Sequence, residues 1–270
     1  MPSLYVLNAA ALSKPHAIEH LASDLISYDI DVAIITETHF KQKHTDNAVS
    51  IDNYVLYQID RDGRRGGGVA LYVRSTLKSV VWMQPQPSEK FELMWICVDD
   101  ETFIAALYHP PQPIYQTESL LSHIELCVEN LHQNFQSAEV IVAGDLNQLS
   151  DQDIIERTGL IQIVRQPTRG ANLLDRIYVS KPVYSKVHVV ISVVKSDHKA
   201  VVAYTDEQPK LPKVASHKIF RRKSPSQHAL FLQYAAEEDF SSEEPCSDTQ
   251  TQFDEFYSKA MSILNRFYPE

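Results

Sequence analysis

The chain of 270 residues contains few cysteines and few glycines, and it has no long apolar run. No stretch reaches the roughly 18 consecutive apolar residues of a transmembrane helix, so we expect no membrane-spanning segment. The amino terminus lacks a basic segment followed by an apolar one, so we expect no secretion. The cysteines are odd in number and widely spaced, as reduced intracellular thiols are, and predict neither a disulfide framework nor a zinc site: Cys97, Cys127 and Cys246.

Two motifs of nucleotide chemistry are also missing. The chain has no Gly-x-x-x-x-Gly-Lys phosphate loop, which argues against a nucleoside triphosphatase. It has no Tyr-x-Asp-Asp motif either, so any reverse transcriptase lies outside these 270 residues.

The formal net charge of −10 argues mildly against nucleic-acid binding, because non-specific DNA affinity comes mostly from Lys and Arg side chains. Net charge is a property of the whole chain, however, and a local basic rim can coexist with it. Carboxylates gathered to hold a divalent ion also make a protein more acidic, and the bound metal reverses the local field. The charge therefore leaves a metal-dependent nuclease open.

The order of predicted elements indicates a layered α/β fold. Helices are predicted at 15–28 and 117–134 from their apolar spacing. Apolar or alternating runs predict strands at 3–8, 31–36, 54–59, 69–74, 78–84, 92–98, 102–108, 139–143, 174–179, 187–194 and 200–204. Alternating strands and helices followed by several strands suggest packed sheets with outer helices, an α/β sandwich.

The composition changes after about residue 208. Prolines and a basic cluster follow, and helices are predicted at 226–240 and 248–267. We therefore predict a main domain at 1–208 and a linker with a helical extension at 209–270.

Polar residues follow or end many of the buried strands. A carboxylate at the end of an apolar strand is poorly solvated unless a positive group or a hydrogen-bond donor lies nearby. Several such residues along one chain predict that the strand ends converge on one pocket: Asn8, Glu37, Tyr108, Asp145, Asn147, Asp175, Asp197 and His198.

Each of these residues has a simpler interpretation when it is taken alone. Asn8 could cap the first helix, Glu37 could be a surface carboxylate, and Tyr108 could be a packed aromatic. Asp145 and the Ser196-Asp197-His198 segment could form turns. Asp175 could pair only with its neighbour Arg176.

The order and spacing of the set resemble the DNase I-like, or exonuclease III-like, endonuclease/exonuclease/phosphatase family. The motifs are Leu7-Asn8, Thr36-Glu37-Thr38, Ala143-Gly144-Asp145-Leu146-Asn147 and Ser196-Asp197-His198, and the resemblance covers residues 3–205. It implies a four-layered sandwich of two packed sheets flanked by helices.

Further segments resemble the endonuclease domain of LINE-type, non-LTR retrotransposons. They are Ile35–Thr38, Arg61–Ala70, Ala106–Pro111, Gln166–Gly170 and Leu174–Ile177. Two departures from relatives of this fold stand out. Ala9, Ala10 and Ala11 occupy positions where apurinic endonucleases often have an acidic residue, which weakens the case for abasic-site repair. His109 stands where relatives often have Arg.

The resemblance implies a role for each matched residue. Glu37 would be the principal ligand of Mg²⁺, with Mn²⁺ as a substitute, helped by Asn8 and with Asp197 nearby. Asp145 would orient or deprotonate the attacking water, and Asn147 and Tyr108 would contact the phosphate. His198 would donate to a phosphoryl oxygen and be oriented by Asp175, with Ser196 and Thr168 as supporting polar contacts.

The residue types also suit phosphodiester hydrolysis when the resemblance is set aside. Mg²⁺ is a hard ion that takes oxygen ligands, often from only one or two carboxylates. An Asp–His pair supplies a fixed imidazole beside the phosphate, which stabilises developing charge electrostatically.

Four of the seven glycines lie at 63 and 66–68. The simpler interpretation is a hairpin turn, because glycine readily takes positive φ. The functional interpretation adds that Arg61, Arg64 and Arg65 contact DNA phosphates. With Arg169, Lys195 and Lys199 they would form a basic rim around an acidic site.

Three hypotheses follow. The first is a Mg²⁺-dependent endonuclease that nicks DNA and leaves a 3′-hydroxyl, which in a retrotransposon would prime a reverse transcriptase region that this chain lacks. Such a protein would work inside the cell, in the nucleus at its site of action. The second is a phosphatase of the same fold that acts on inositol phosphates or a sphingomyelin-type lipid. The third is a decayed module that only binds DNA or a partner.

Overall fold

The computed structural model describes residues 1–41, 46–61, 66–86, 89–205, 225–241 and 248–268. Its contacts divide the chain into two compact units, residues 1–208 and 209–270. Within the described ranges, no helix is both long and apolar enough to cross a bilayer.

Two six-stranded sheets form the framework of the first unit. In chain order its elements are β1 Leu4–Asn8, α1 Ala17–Ser27, β2 Val32–Thr36, α2 Asp46–Val49, β3 Tyr54–Ile59, β4 Val69–Arg74, β5 Ser79–Met83, β6 Glu92–Val98, β7 Thr102–Tyr108, α3 Thr117–Asn134, β8 Glu139–Asp145, α4 Asp151–Thr158, β9 Ile161–Gln162, β10 Asp175–Val179, β11 Tyr184–Val190 and β12 Ala200–Thr205.

The two sheets have related strand orders, β11-β12-β1-β2-β4-β3 and β5-β6-β7-β8-β10-β9. Each sheet has one parallel pair near its centre, β1 with β2 and β7 with β8. The remaining pairs are antiparallel.

Alternating side chains place each sheet between two apolar layers. One cluster lies on the inner faces of both sheets and includes Leu4, Ile34, Ile104, Ile141 and Ile177. The other face of the first sheet packs against Leu21 and Leu25 of α1. The other face of the second sheet packs against α3, through residues such as Leu120, Ile124 and Leu131. The layers run helix, sheet, sheet, helix, which confirms the predicted four-layered α/β sandwich.

Some elements differ from the sequence-based prediction. β11 spans Tyr184–Val190 and not 187–194. Beyond Val190 the chain leaves the sheet, and Ser192 Oγ donates to Asp24 Oδ2 (2.6 Å). The helices α2 and α4 and the two-residue strand β9 were not predicted. α4 begins at a Ser150 cap, whose Oγ accepts from Asp153 N.

The second unit contains two helices, α5 Pro225–Glu237 and α6 Thr249–Phe267, close to the predicted ranges. Asp248 caps α6 by accepting hydrogen bonds from Gln250 N and Thr251 N. The helices contact each other through aromatic side chains, such as Phe231 with Tyr268 (ring centroids 5.3 Å apart). Among the described residues of this unit, Ile263 and Tyr268 are buried.

Candidate active site

The inner apolar faces of the two sheets end in polar side chains at one edge. In β1, Leu4 and Val6 face the inner core, and Asn8 is the next residue on that face. Tyr108, Asp145 and Asp175 occupy equivalent end positions in β7, β8 and β10. Tyr108 lies opposite Asp145, and Asp145 lies opposite Asp175. The predicted convergence of strand ends is therefore present in the fold.

Glu37 follows β2 with a left-handed backbone (φ 51°). Its Oε1 accepts hydrogen bonds from Asn8 Nδ2 (3.1 Å) and from the Tyr108 hydroxyl (2.7 Å). His39 Nε2 lies 3.4 Å from Oε2. Burial raises the pKa of Glu37, but these donors outweigh burial and lower the pKa to about 2. The carboxylate is therefore charged at neutral pH.

His39 was not singled out from the sequence. The signal that was available is its position two residues after Glu37 in the Glu37-Thr38-His39 string. The backbone of this string is held by the glycine-rich segment, since Thr38 N donates to Gly68 O and His39 N donates to Gly67 O. The glycines thus help to shape the Glu37 turn.

Asn8 connects the two sheets. Its Nδ2 donates to Asp145 Oδ2 (2.7 Å) as well as to Glu37, while its Oδ1 accepts from Ala10 N (2.9 Å). The side chain therefore presents its amino group to both carboxylates. Asn8 thus holds the two carboxylates through its amino group, and its own oxygen, which was predicted to help bind Mg²⁺, accepts from the backbone.

Asp175 and His198 form a buried pair. His198 Nδ1 lies 2.7 Å from Asp175 Oδ2, and Asp175 Oδ1 accepts from Asn8 N (3.2 Å). Burial lowers the pKa of His198, but the hydrogen bond and charge of Asp175, with the charge of Asp145, raise it above its usual value overall. Asp175 thus pairs with His198, and the alternative pairing with Arg176 is not observed.

Asp145 lies beside this pair. One potential ligand atom from each of Asp145, Asp175 and His198 falls within 4.8 Å of the others. Burial and the neighbouring Asp175 carboxylate raise the pKa of Asp145. A carboxyl group with a raised pKa next to an imidazole whose pKa is also raised suits proton transfer near neutral pH.

Asn147 follows Asp145 in a tight turn with a left-handed backbone (φ 43°). Its N donates to Asp145 Oδ1 (3.1 Å), and its Nδ2 donates to His109 O (2.9 Å). Gly144 makes the approach to β7 possible, because a Cβ at this position would lie 1.9 Å from Leu107 O. The Gly-Asp-Leu-Asn motif therefore depends on its glycine for steric reasons.

Thr168 and Ser196 act on the site through other residues. Thr168 is fully buried, and its Oγ1 accepts from Leu174 N and Asp175 N, both at 3.1 Å. Ser196 Oγ donates to Asn8 O (2.7 Å) and accepts from His198 N (3.1 Å). Thr168 thus supports the backbone at Asp175 and Ser196 supports that at His198, while their predicted polar contacts with the substrate stay a prediction.

The predicted basic residues lie in different settings. Arg61 has 16% of its side chain exposed and pairs with Glu92 (Nη2 to Oε1 2.5 Å); its guanidinium carbon is 5.5 Å from the Tyr108 ring centroid. Arg169 is half exposed and pairs with Asp197 (2.6 Å). Asp197 is thus engaged with Arg169 at the surface. Arg64 and Arg65 lie outside the described residues.

The sequence bears out the family suggested by this geometry. The model of the endonuclease/exonuclease/phosphatase family matches residues 4–198. This chain belongs to that family. No curated protein matches the chain.

Solved structures share the fold at low identity. An AP endonuclease from Archaeoglobus fulgidus is 14% identical, with a TM-score of 0.58, over 76% of this chain and 100% of its own. One from Leishmania major is 14% identical, with a TM-score of 0.62, over 75% of this chain and 87% of its own. The 3′ phosphatase NExo from Neisseria, solved with a product DNA hairpin, is 13% identical, with a TM-score of 0.60, over 76% and 100%.

Members of the endonuclease/exonuclease/phosphatase family depend on a divalent metal, and the residues here fit such an ion. Glu37 is charged, and two carboxyl groups, Asp145 and Asp175, are buried together. A divalent cation would relieve the repulsion between buried carboxylates and would bind hard oxygen donors of this kind. Glu37 is the charged carboxylate of the site and is joined to Asp145 through Asn8, so it is the candidate to hold the ion.

Proposed function

We propose that this chain is a Mg²⁺-dependent DNA endonuclease that nicks one strand and leaves a 3′-hydroxyl, with Mn²⁺ able to replace Mg²⁺. The observation that carries the proposal is the buried group of Asp145, Asp175 and His198 at the open edge of the sandwich. It combines a proton acceptor, a cation and an orienting carboxylate within a few ångströms. Hydrolysis of a phosphodiester needs all three functions.

Asp145, His198 and Asp175 each have a separate role in the reaction. Asp145 accepts a proton from the attacking water while the water oxygen bonds to phosphorus. The bond between phosphorus and the 3′ oxygen breaks, the leaving oxygen takes a proton from solvent water to become a 3′-hydroxyl, and the 5′-phosphate remains on the other fragment. Protonated His198, held through Nδ1 by Asp175, donates from Nε2 to a non-bridging oxygen.

The other residues hold the phosphate and the ion. Asn147 is placed beside Asp145 to contact the phosphate, and Tyr108 reaches the same edge with its hydroxyl bonded to Glu37. Glu37 would hold a divalent ion, which when bound would supply positive charge for the phosphoryl oxygens. Asn8 keeps both carboxylates in place from between the sheets.

DNA is favoured as the substrate by two features. The Arg-rich glycine segment resembles that of retrotransposon endonucleases, and exposed Arg169 lies next to the loop that carries His198. The structural neighbours include AP endonucleases and a phosphatase solved with DNA. Abasic-site repair is not favoured, because Ala9, Ala10 and Ala11 provide no acidic side chain after Asn8.

The test is nicking of a supercoiled plasmid, with intact and abasic duplexes, an inositol polyphosphate and sphingomyelin as parallel substrates. We expect relaxation in Mg²⁺ or Mn²⁺, none in EDTA, and ends that a DNA polymerase extends without further treatment. Activity in EDTA would contradict the metal assignment. Hydrolysis of only the phosphoinositide or the lipid would replace the DNA proposal with the phosphatase alternative.

We further propose that the nick serves a LINE-type retrotransposon, as the primer for a reverse transcriptase region outside this chain. The support is the resemblance of the segments around Glu37, Gly68, Tyr108, Thr168 and Asp175. Residues 209–270 would then join the nuclease, residues 1–208, to that region, and the reaction would take place in the nucleus. The test adds a reverse transcriptase and an RNA template to nicked target DNA. Products joined to the nicked strand are expected, and their absence with a competent polymerase would contradict the proposal.

A further inference from the structure

Adjacent residues of β10 point to opposite faces of the second sheet. Asp175 lies on the inner face with Ile177 and reaches His198. Arg176 lies on the outer face with Tyr178, and only 5% of its side chain is exposed. Burying a guanidinium costs free energy unless its N–H donors form hydrogen bonds. The partners of Arg176 therefore show which part of the fold it stabilises.

Arg176 binds the loop that follows Asp145. Its Nη1 donates to Leu149 O (2.8 Å), and its Nη2 donates to Asn147 O. Nη1 also pairs with Asp151 Oδ1 (2.5 Å) at the start of α4. One side chain therefore fixes two carbonyl groups of the 146–150 loop, which has no regular secondary structure.

The loop has an uncommon backbone conformation. Asn147 is left-handed (φ 43°), a region that few non-glycine residues adopt and in which asparagine is enriched. Its amide N–H must still point at Asp145 Oδ1, and its side chain is directed by the bond to His109 O. A rotation of the peptide that follows Asn147 would change the ψ angle of Asn147 and with it the path of the loop that carries both bonds.

We propose that Arg176 is a positioning residue for Asn147 and Asp145. It holds the carbonyl of Asn147 and thereby aligns the phosphate-binding amide and the proton acceptor, without touching the substrate. β10 then orients both halves of the site, His198 through Asp175 on one face and Asn147 through Arg176 on the other. The catalytic part of this inference rests on the proposed nuclease function.

The main test is Arg176→Lys. Lysine keeps the positive charge but lacks the planar fork that bonds two carbonyls at once. A displacement of about 1 Å in a site can cost about 10²-fold in rate. We expect kcat for plasmid nicking to fall about 10²-fold with little change in KM, because Arg176 contributes to alignment and not to DNA binding.

Arg157→Lys is the matched control. Arg157 lies on α4 and pairs with exposed Glu118 (2.7 Å). Its hydrogen bonds go to side chains of α3, not to a loop carbonyl. Its replacement is expected to leave kcat unchanged. A second measurement is amide hydrogen exchange of Asn147 in the metal-free proteins. Exchange should be faster in Arg176→Lys and unchanged in Arg157→Lys, whether or not the protein cleaves DNA.

The outcomes separate the two proposals. A wild-type protein that does not cleave DNA contradicts the nuclease proposal, and the exchange measurement then decides the role of Arg176. Equal kcat, or equal Asn147 exchange, in Arg176→Lys and Arg157→Lys would overturn the inference. Arg176→Gln, which removes the buried charge, is a second variant in case Arg176→Lys does not fold. If neither Arg176 variant melts cooperatively, Arg176 is needed for folding itself and the positioning role is rejected.

Discussion

Asn8 and Asp145 belong to different sheets, and Asn8 Nδ2 donates to Asp145 Oδ2 over 2.7 Å. The same nitrogen donates to Glu37 Oε1. One amide therefore sets the separation of Glu37, the candidate to hold the ion, from Asp145, the candidate proton acceptor. The relative position of the sheets is thus fixed at the site as well as in the core.

Asn8→Ala tests this connection. Loss of a partner that orients a metal ligand typically costs about 10–100-fold in metal affinity or activity. We expect the Mg²⁺ concentration for half-maximal nicking to rise by about that factor, since the carboxylates lose their shared donor. Asn134→Ala, on the exposed end of α3, is the control. An unchanged Mg²⁺ dependence for Asn8→Ala would show that the amide is not needed.

Asp175→Asn tests the His198 pair through pH. Asp175 raises the pKa of His198, so the wild type keeps His198 protonated to higher pH than the variant does. Nicking should be lost as pH rises through the pKa of His198, and this loss should occur at lower pH in Asp175→Asn. The His198 ring protons, followed by NMR in the metal-free proteins, give the two pKa values directly.

The same pair contributes to stability with a defined sign. Because the folded-state pKa of His198 is raised, its stabilising contribution is complete below the unfolded value and is lost as pH rises through the folded value. Thermal unfolding of the wild type should show this loss, and Asp175→Asn should show less of it. Identical pH profiles for the two proteins would mean that Asp175 does not act on His198.

Thr168→Val distinguishes support from substrate contact. Valine has nearly the same shape but cannot accept the hydrogen bonds from Leu174 N and Asp175 N, and each buried donor left unsatisfied costs about 1–3 kcal/mol. We expect a lower free energy of unfolding and little change in the Kd for DNA, measured on a His198→Ala background. Thr168→Ser, which keeps the oxygen, should restore most of the stability. A large loss of DNA affinity with normal stability would favour the substrate contact instead.

Arg64→Ala with Arg65→Ala tests the basic rim. Each lost phosphate contact lowers the salt slope of binding by about one unit, on any DNA sequence. Affinity should fall and its salt dependence should flatten between about 50 and 200 mM salt. Arg61→Ala should behave differently, because Arg61 pairs with buried Glu92, and its main effect should be a lower melting temperature. If the double variant binds like the wild type, the segment is only a turn.

The sandwich and most strand bounds could be predicted from the sequence. Long apolar runs such as 92–98 and 102–108 are typical of strands that are buried on both faces. It did not reveal α4, whose eight residues contain only two buried ones, Ile154 and Thr158. Such a helix has too narrow an apolar stripe for its periodicity to stand out. β9 has two residues and no period at all.

The sequence predicted which polar residues come together at the candidate site, but not all of their hydrogen-bond partners. Asn8, Glu37, Asp145, Asp175 and His198 lie at or next to the ends of strands, where a poorly solvated polar group needs a partner. The partners depend on tertiary structure, however. Asp175 and Arg176 were open to pairing as neighbours, but successive residues in a strand point to opposite faces. The inward direction of Arg61 and the buried position of Thr168 likewise follow only from the packed sheets.

Gly144 gives a criterion for reading related genes. A side chain at this position would meet the Leu107 carbonyl of the adjacent strand, so a copy with any other residue there cannot form the same Asp145–Asn147 turn. Such a copy could retain codons for Glu37, Asp145, Asp175 and His198 and still place their side chains differently. Among related genes, the codon for Gly144 therefore carries as much information about an intact site as the codons for these four residues.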